Sequence, residues 1–473
     1  MGRGRSIWIS TLLALVLCVV APAALPPVSG AAPATPKAPA KPNHATTKVR
    51  PSEVTLPSGV GGGVPVTMPP VGLSIEYPTI AQAFGSGSCP PPALAAELLR
   101  LGSPPLELAG LSQDLTAPDG AISGAPTSWE TATLYTLSPA FWSQLQCLLA
   151  AAKDPLTVGL NMRTGNLAWA TQMAAKAQGA AGAGLGFSLG NEPDLFGLPN
   201  LSSLAKPQVG EEAAAANLYL QLAGYLRPAI GSAPVVGPEL SRPARWRSVL
   251  PRVLAQLHAQ TVGVHLYPLT TCRSLREVTI GGLLSSRAAN SPARLSWVAA
   301  DAQAAGLPAI ISEANSASCG GKTGVSDTPA AAVWAVRFVL SALKTGFREV
   351  RFHFAGDPYD PFLVRGASVF PRPLESALVA LNQWLPVGSS LRTVPGVREL
   401  VATALAKPAG GSMLLLDNEG SKPRPVVVRN ARRVHVAILS PARSGLVTET
   451  LLASGRLKLS IAPNTVVAIS HAP

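Results

Sequence analysis

The fold class the sequence predicts is α/β, a (β/α)8 TIM barrel with a C-terminal antiparallel β-sandwich-like domain. Three observations predict it. Between residues 71 and about 385, eight short apolar runs alternate with longer segments of helical character, the pattern of repeated βα units. Two of those runs, the fourth and the seventh, close on a glutamate, where barrel enzymes place reactive groups. Beyond Gly388 the pattern changes to β-branched runs, such as Pro425 to Val428, Val434 to Ile438 and Thr465 to Ile469, separated by Pro, Gly, Ser and Asn.

Composition sets the frame for each element. The 473 residues are 47% hydrophobic and 13% charged, against about 25% charged in an average soluble chain, so the apolar material for a large core is ample and global disorder is excluded. Mean hydropathy is +0.28. No run of about 18 uncharged apolar residues follows residue 30, however, and even the stretch from Ala330 to Leu343 is interrupted by Arg337, so no transmembrane span is expected in the mature chain. The formal charge is +13, of which residues 1–50 supply six Lys or Arg and no acid. The remaining basic residues are scattered, without a cluster interleaved with aromatics, and no nucleic-acid partner is expected. A mild basic bias suits acidic substrates or an anionic cell surface.

Along the chain, Arg3 and Arg5 precede an apolar segment from Ile7 to Val20, followed by small residues and turn formers to Ala31. This is the layout of a secretory signal peptide over residues 1–30 and predicts a secreted or cell-surface protein. An uncleaved anchor is the alternative reading, for which 14 apolar residues are short. Residues 31–66 are expected to be a Pro- and Ala-rich linker with an N-terminal strand region. The barrel is expected over 67–387 and the β-domain over 388–473, with strand-like pieces between Arg50 and Val66 pairing with that domain.

The eight runs are Val71 to Ile75, Pro105 to Leu108, Leu156 to Leu160, Gly186 to Leu189, Pro234 to Gly237, Thr261 to Leu266, Ala309 to Ser312 and Glu349 to His353. Helices are expected at Phe141 to Ala152, Glu211 to Leu226, Pro292 to Ala304, Pro329 to Leu343 and Leu374 to Trp384. A doubly wound open sheet is the rival, but the Gly-rich dinucleotide fingerprint is missing after the early strands.

Cys18 lies in the apolar leader segment, which leaves Cys89, Cys147, Cys272 and Cys319. Four cysteines in an exported chain read as two disulfides, with three pairings formally open. Cys272 and Cys319 each follow a site strand by a few residues, and those strands are neighbours, which favours Cys272 with Cys319 and Cys89 with Cys147. Their spacing lacks the pattern of a zinc site.

The chemistry lies at the strand ends. Leu189, Gly190, Asn191, Glu192, Pro193 and Asp194 put one carboxylate at the mouth; Ile311, Ser312, Glu313, Ala314 and Asn315 put another there from across the barrel. Two carboxyl groups about 5 to 5.5 Å apart are what a retaining glycosidase requires, one as nucleophile and one as acid/base. Either alone also reads as a turn acid capping a helix. Val264, His265, Leu266, Tyr267 and Pro268 end the sixth run, where His265 and Tyr267 are candidates to orient a carboxylate or touch a sugar.

These segments together resemble glycoside hydrolase family 79, the β-glucuronidase and heparanase-like group of the retaining clan A. The resemblance rests on Gly72 to Glu76; on Gly159, Leu160, Asn161, Gly165 and Asn166; on Gly190 to Asp194; on His265 to Pro268; and on Ser312 to Ser316 followed by Gly320, Gly321, Lys322, Thr323, Gly324, Val325, Ser326 and Asp327. It implies Glu192 as acid/base, Glu313 as nucleophile and Asn191 as partner of the sugar 2-hydroxyl. It also implies His265, Tyr267, Asn315, Gly321, Lys322 and Asp114 as substrate-binding residues, the 320–327 loop as a wall of the sugar pocket offering N–H groups to a uronate, and neither metal nor organic cofactor. The expected partner is a uronic-acid-containing glycoside or polysaccharide. Where the family reads close to Arg-Ile-Gly-Gly-Asn-Ser-x-Asp, this chain has Glu107, Leu108, Ala109, Gly110, Leu111, Ser112, Gln113 and Asp114, so the arginine is gone and Leu111 replaces a substrate-lining Asn. The expected activity is a retaining β-glucuronidase. An endo-acting or different-sugar glycosidase of the same fold, and an inactive carbohydrate-binding cell-surface protein, are the alternatives.

Overall fold

A computed structural model describes residues 51–57, 62–119, 135–182, 184–196, 211–272, 274–397 and 399–472. The signal segment with Cys18, and the linker up to Arg50, lie outside the described residues. Eight parallel strands close into a barrel: β1 (Val71–Glu76), β2 (Leu106–Ala109), β3 (Leu156–Leu160), β4 (Leu185–Leu189), β5 (Val235–Leu240), β6 (Thr261–Leu266), β7 (Ala309–Ala314) and β8 (Phe347–Phe354). All eight expected runs are strands. They are legible because a parallel strand is buried on both faces, and the outward residues of these runs, such as Leu73, Val158, Phe187 and Ile311, are fully or almost fully buried under the helices.

The barrel interior is unusually polar. Ser74, Glu107, Glu239, Ser312, Glu349 and Arg351 are all buried, where bulky aliphatic residues commonly fill the layers. Arg351 on β8 ties this interior together: Nη1 lies 2.7 Å from Glu107 Oε2 on β2, and Nε lies 2.8 Å from Glu349 Oε1. The guanidinium crosses β1 to do so, and Gly72 makes that possible. A Cβ at residue 72 would come within 2.7 Å of Glu349 Oε1 and 3.1 Å of Arg351 Cγ.

The helix Pro329–Thr345 shows how the outer layers join. Proline at its start supplies a preset φ without wasting an N–H, and Gly346 ends it in the left-handed region at φ 110°. Every residue from Ala330 to Leu343 is buried, because the barrel covers one side and the C-terminal sheet the other. Fully burying each large apolar side chain here is worth about 1.5–3 kcal/mol. Arg337, in the middle of this apolar helix, is neutralised by Asp417 through two hydrogen bonds of 2.9 and 2.7 Å.

The sheet beside the barrel contains β9 (Ser390–Thr393), β10 (Val401–Ala406), β11 (Ser412–Asn418), β12 (Arg424–Ser440), β13 (Arg443–Ile461) and β14 (Thr465–His471). One face packs on the barrel helices through Leu405, Leu415 and Val466. The other bends over a second core containing Leu414, Val428, Val436 and Ile469. β12 is a single strand where two short runs were expected; it bends at Asn430, whose φ is +60°, with a register break between Arg429 and Ala431. Val64–Pro65 pairs with β9 antiparallel. Ser52–Thr55 joins β12 in parallel register, the one departure from an antiparallel sheet.

Both disulfides pair as expected, Cys89 with Cys147 and Cys272 with Cys319. No helix among the described residues is long and apolar enough to cross a membrane.

Candidate active site

Glu192 and Glu313 meet at the C-terminal end of the barrel. Glu192 follows β4 and adopts a left-handed backbone, φ 50° and ψ 54°. That conformation is sparsely populated for a side-chain-bearing residue and is typical of strained functional positions. Glu313 lies inside β7. The β6 and β7 ladder slips at Val264, so that His265 stands opposite Glu313 rather than Ser312; such an irregularity re-aims a side chain at a barrel rim.

His265 joins the two carboxylates. Its Nδ1 lies 3.1 Å from Glu192 Oε1 and 3.8 Å from Glu313 Oε1. The sum of those legs bounds the gap between the two oxygens, compatible with the roughly 5–5.5 Å of a retaining pair and short of nearly all of the roughly 6.5–9.5 Å of an inverting one. Burial opposes a charge on His265, but Glu313, Glu192 and Glu239 outweigh it and push the imidazole up to about 10. Burial would likewise raise Glu192, yet the hydrogen bond and charge of His265 hold it below its usual value. The cation beside it thus keeps Glu192 ionised.

Glu313 is held from the other side. Tyr267 Oη donates to Glu313 Oε1 at 2.7 Å and lies 2.9 Å from His353 Nδ1. His353 Nε2 meets Glu76 Oε1 at 3.2 Å, and Tyr359 Oη lies 2.9 Å from His353 Nδ1. Burial disfavours a charged His353, but Glu313 and Glu76 prevail and raise it to about 9. A chain of polar groups thus runs from Glu76 to the nucleophile candidate. Glu313 Oε2 is buried and has no hydrogen-bond partner among the described residues, leaving one oxygen uncommitted.

Of the other expected residues, Asn191 is buried, with Oδ1 unpartnered and its backbone N–H bound to Asp114 Oδ2 at 3.1 Å. Asp114 itself is fully buried and also accepts from the N–H groups of Met162 and Arg163, so it fixes the loops that present Asn191. Asn315 donates to the carbonyls of His353 and Tyr359, bracing β7 against β8. Lys322 Nζ donates to the carbonyls of Leu275 and Val278. Gly321 packs where a Cβ would fall 2.7 Å from Tyr359. The N–H groups of Lys322, Gly324, Val325 and Ser326 are used within the 320–327 loop. His353, Tyr359 and Glu76 were missed as site residues; the signal for the first was the alternation of Glu349, Arg351 and His353 along an otherwise buried strand.

The backbone N–H groups of Leu111 and Ser112 donate to Glu76 at 3.0 and 2.7 Å. The loop that departs from the family pattern is therefore anchored to the same carboxylate that holds His353. Among the described residues no group of three His, Cys, Asp or Glu could hold a metal ion.

No protein-family profile matches the sequence, and no curated relative does. Solved structures share the fold. A 4-O-α-L-rhamnosyl-β-D-glucuronidase from Fusarium oxysporum is 19% identical with a TM-score of 0.64, covering 88% of this chain and 100% of its own. A GH51 arabinofuranosidase from Xanthomonas axonopodis pv. citri is 12% identical with a TM-score of 0.62, covering 89% and 99%. A GH30 endoxylanase from Clostridium papyrosolvens is 11% identical with a TM-score of 0.55, covering 90% and 100%. The fold is that of TIM-barrel glycosidases.

Proposed function

We propose that the protein is an exported retaining β-glycoside hydrolase acting on β-linked glucuronic acid. The observation that carries this reading is the pair Glu192 and Glu313 bridged by His265. In the first step Glu313 Oε2 bonds to the anomeric carbon as the glycosidic C–O bond breaks, and Glu192 gives a proton to the departing oxygen. Because Glu192 rests ionised, that proton is drawn from the His265 imidazolium along their hydrogen bond. In the second step Glu192 takes a proton from water, the water oxygen bonds to the anomeric carbon, and the bond to Glu313 breaks. Forming the ester removes the Glu313 charge that favours the His265 cation, which prepares the histidine and Glu192 to accept the proton from water. The unpartnered Asn191 Oδ1 is the group for the sugar 2-hydroxyl, an interaction that strengthens in the oxocarbenium-like transition state.

The glucuronic acid preference is supported by the sequence resemblance and by the activity named for the Fusarium oxysporum structure. The test is release of the aryl group from an aryl β-D-glucuronide by the purified protein. Glu313→Gln is expected to abolish turnover and Glu192→Gln to cut it severely, with the far-UV spectrum unchanged. Full activity in Glu313→Gln overturns the assignment. Hydrolysis of a neutral aryl glycoside in preference to the glucuronide overturns the sugar but keeps the mechanism.

A further inference from the structure

The charge of the chain is segregated. Residues 51–387 hold 21 Lys and Arg against 21 Asp and Glu, whereas residues 388–473 hold eleven against four. The excess concentrates on the β12 and β13 hairpin, residues 424–461, with seven Lys and Arg and a single acid, Glu449. Around the bend at Asn430, Arg429, Arg432, Arg433, Arg456 and Lys458 are all exposed. Arg429 stands directly opposite Arg456 in the ladder, an arrangement that destabilises a sheet. Glu53 bridges those two guanidinium groups, one carboxylate between two cations.

Outward side chains on a strand repeat about every 6.6–7 Å, so these cations form a row rather than a point. A polymer with anions repeated along its length can engage such a row at several places. The hairpin contains no Phe, Tyr or Trp, which removes the stacking platform of single-stranded nucleic-acid sites. Its one large apolar side chain exposed above half, Leu452 at 82%, is a single residue and not the apolar face that inserts into a bilayer surface.

We propose that this face of the sheet binds a linear polyanionic polysaccharide, carboxylated or sulfated, at a site separate from the barrel mouth. The binding needs no turnover, so it stands or falls independently of the glycosidase reading. The experiment uses the purified full chain and measures its affinity for chondroitin sulfate in rising NaCl, with dextran, duplex DNA and phosphatidylserine vesicles as comparisons. Chondroitin sulfate is expected to bind and dextran not, with affinity falling as salt screens the contacts. Arg432→Glu/Arg433→Glu/Lys458→Glu is expected to weaken binding at least tenfold, and the milder Arg432→Gln/Lys458→Gln about threefold, with melting temperature and small-substrate hydrolysis unchanged. The proposal is overturned if chondroitin sulfate does not bind, if DNA or vesicles bind more tightly, or if a folded variant keeps wild-type affinity. Should the charge-reversed protein fail to fold, the glutamine variant decides.

Discussion

The Tyr267 hydroxyl sits between a carboxylate and an imidazolium, donating to Glu313 Oε1 at 2.7 Å while lying 2.9 Å from His353 Nδ1. With His353 charged, its Nδ1–H faces the hydroxyl oxygens of both Tyr267 and Tyr359, each at 2.9 Å, and the Tyr267 phenol proton goes to Glu313. The nucleophile candidate is thereby fixed through one oxygen, and its other oxygen is left uncommitted.

Tyr267→Phe removes that donor without changing the ring. A hydrogen bond to a charged group is worth about 1.5–3 kcal/mol, so kcat on the aryl substrate is expected to fall roughly tenfold to a hundredfold, with KM little changed. A variant with unaltered kcat would show that the bond does not position Glu313.

Stability should fall as pH rises above the mildly acidic range. Burial pushes Asp114, Asp154 and Asp360 up to about 7 and Glu239 up to about 8, and the carboxylates around them raise His265 to about 10 and His353 to about 9. Each of these groups binds its proton more tightly folded than unfolded. Their contribution is complete below the unfolded values, about 4 for the acids and 6.5 for histidine, and is lost as pH rises through the folded ones. Glu76 and Glu192, lowered by their histidines despite burial, act in the opposite sense and lose their contribution in acid. The melting temperature is expected to be highest near about pH 4 to 5 and to decline toward pH 9; a rise over that interval would contradict the assignment.

The Cys272–Cys319 bond clamps the loop after β6 to the loop after β7, beside short strands pairing Leu269 with Ala317 and Thr270 with Ser318. Replacing both cysteines with serine is expected to lower stability by about 2–4 kcal/mol and to reduce kcat, because Tyr267 and Glu313 sit on the clamped segments. Losing Cys89–Cys147 is expected to cost stability alone, so kinetics of the two paired variants at a temperature where both are folded separates the roles.

Arg337→Ala strands Asp417 in the interface between barrel and sheet. Breaking a buried pair from one side costs about 3–5 kcal/mol, measurable as a lowered urea midpoint. Turnover per folded molecule should be unchanged, and Arg337→Met/Asp417→Leu should recover much of the loss.

The barrel was legible because its strands are buried on both faces and so read as short, largely apolar runs, and Glu192 and Glu313 because each follows such a run closely, with Asn191 and Pro193 around the first and Asn315 two residues after the second. Their partners were less so. Glu76 and His353 are 277 positions apart, and only the β8 to β1 register, which sets His353 against Ser74, brings them together. Arg337 told the reader that the helix was no membrane span, but its reason for being there is a carboxylate 80 residues further on. β12 was read as two strands since Asn430 and the adjacent ladder break interrupt the alternation while the chain itself runs on.

Glu53 and Arg429, 376 positions apart, belong to paired strands, and β1 waits for β8 before the barrel closes. A chain emerging from the ribosome or a translocon therefore carries unsatisfied strand edges for most of its synthesis. The pairings of Ser52–Thr55 with β12 and of β1 with β8 wait for residues made much later, so a nascent chain stalled before β12 would keep Ser52–Thr55 as an open edge for mispairing. The last part of the chain to be made is thus also the part that covers the first described strand.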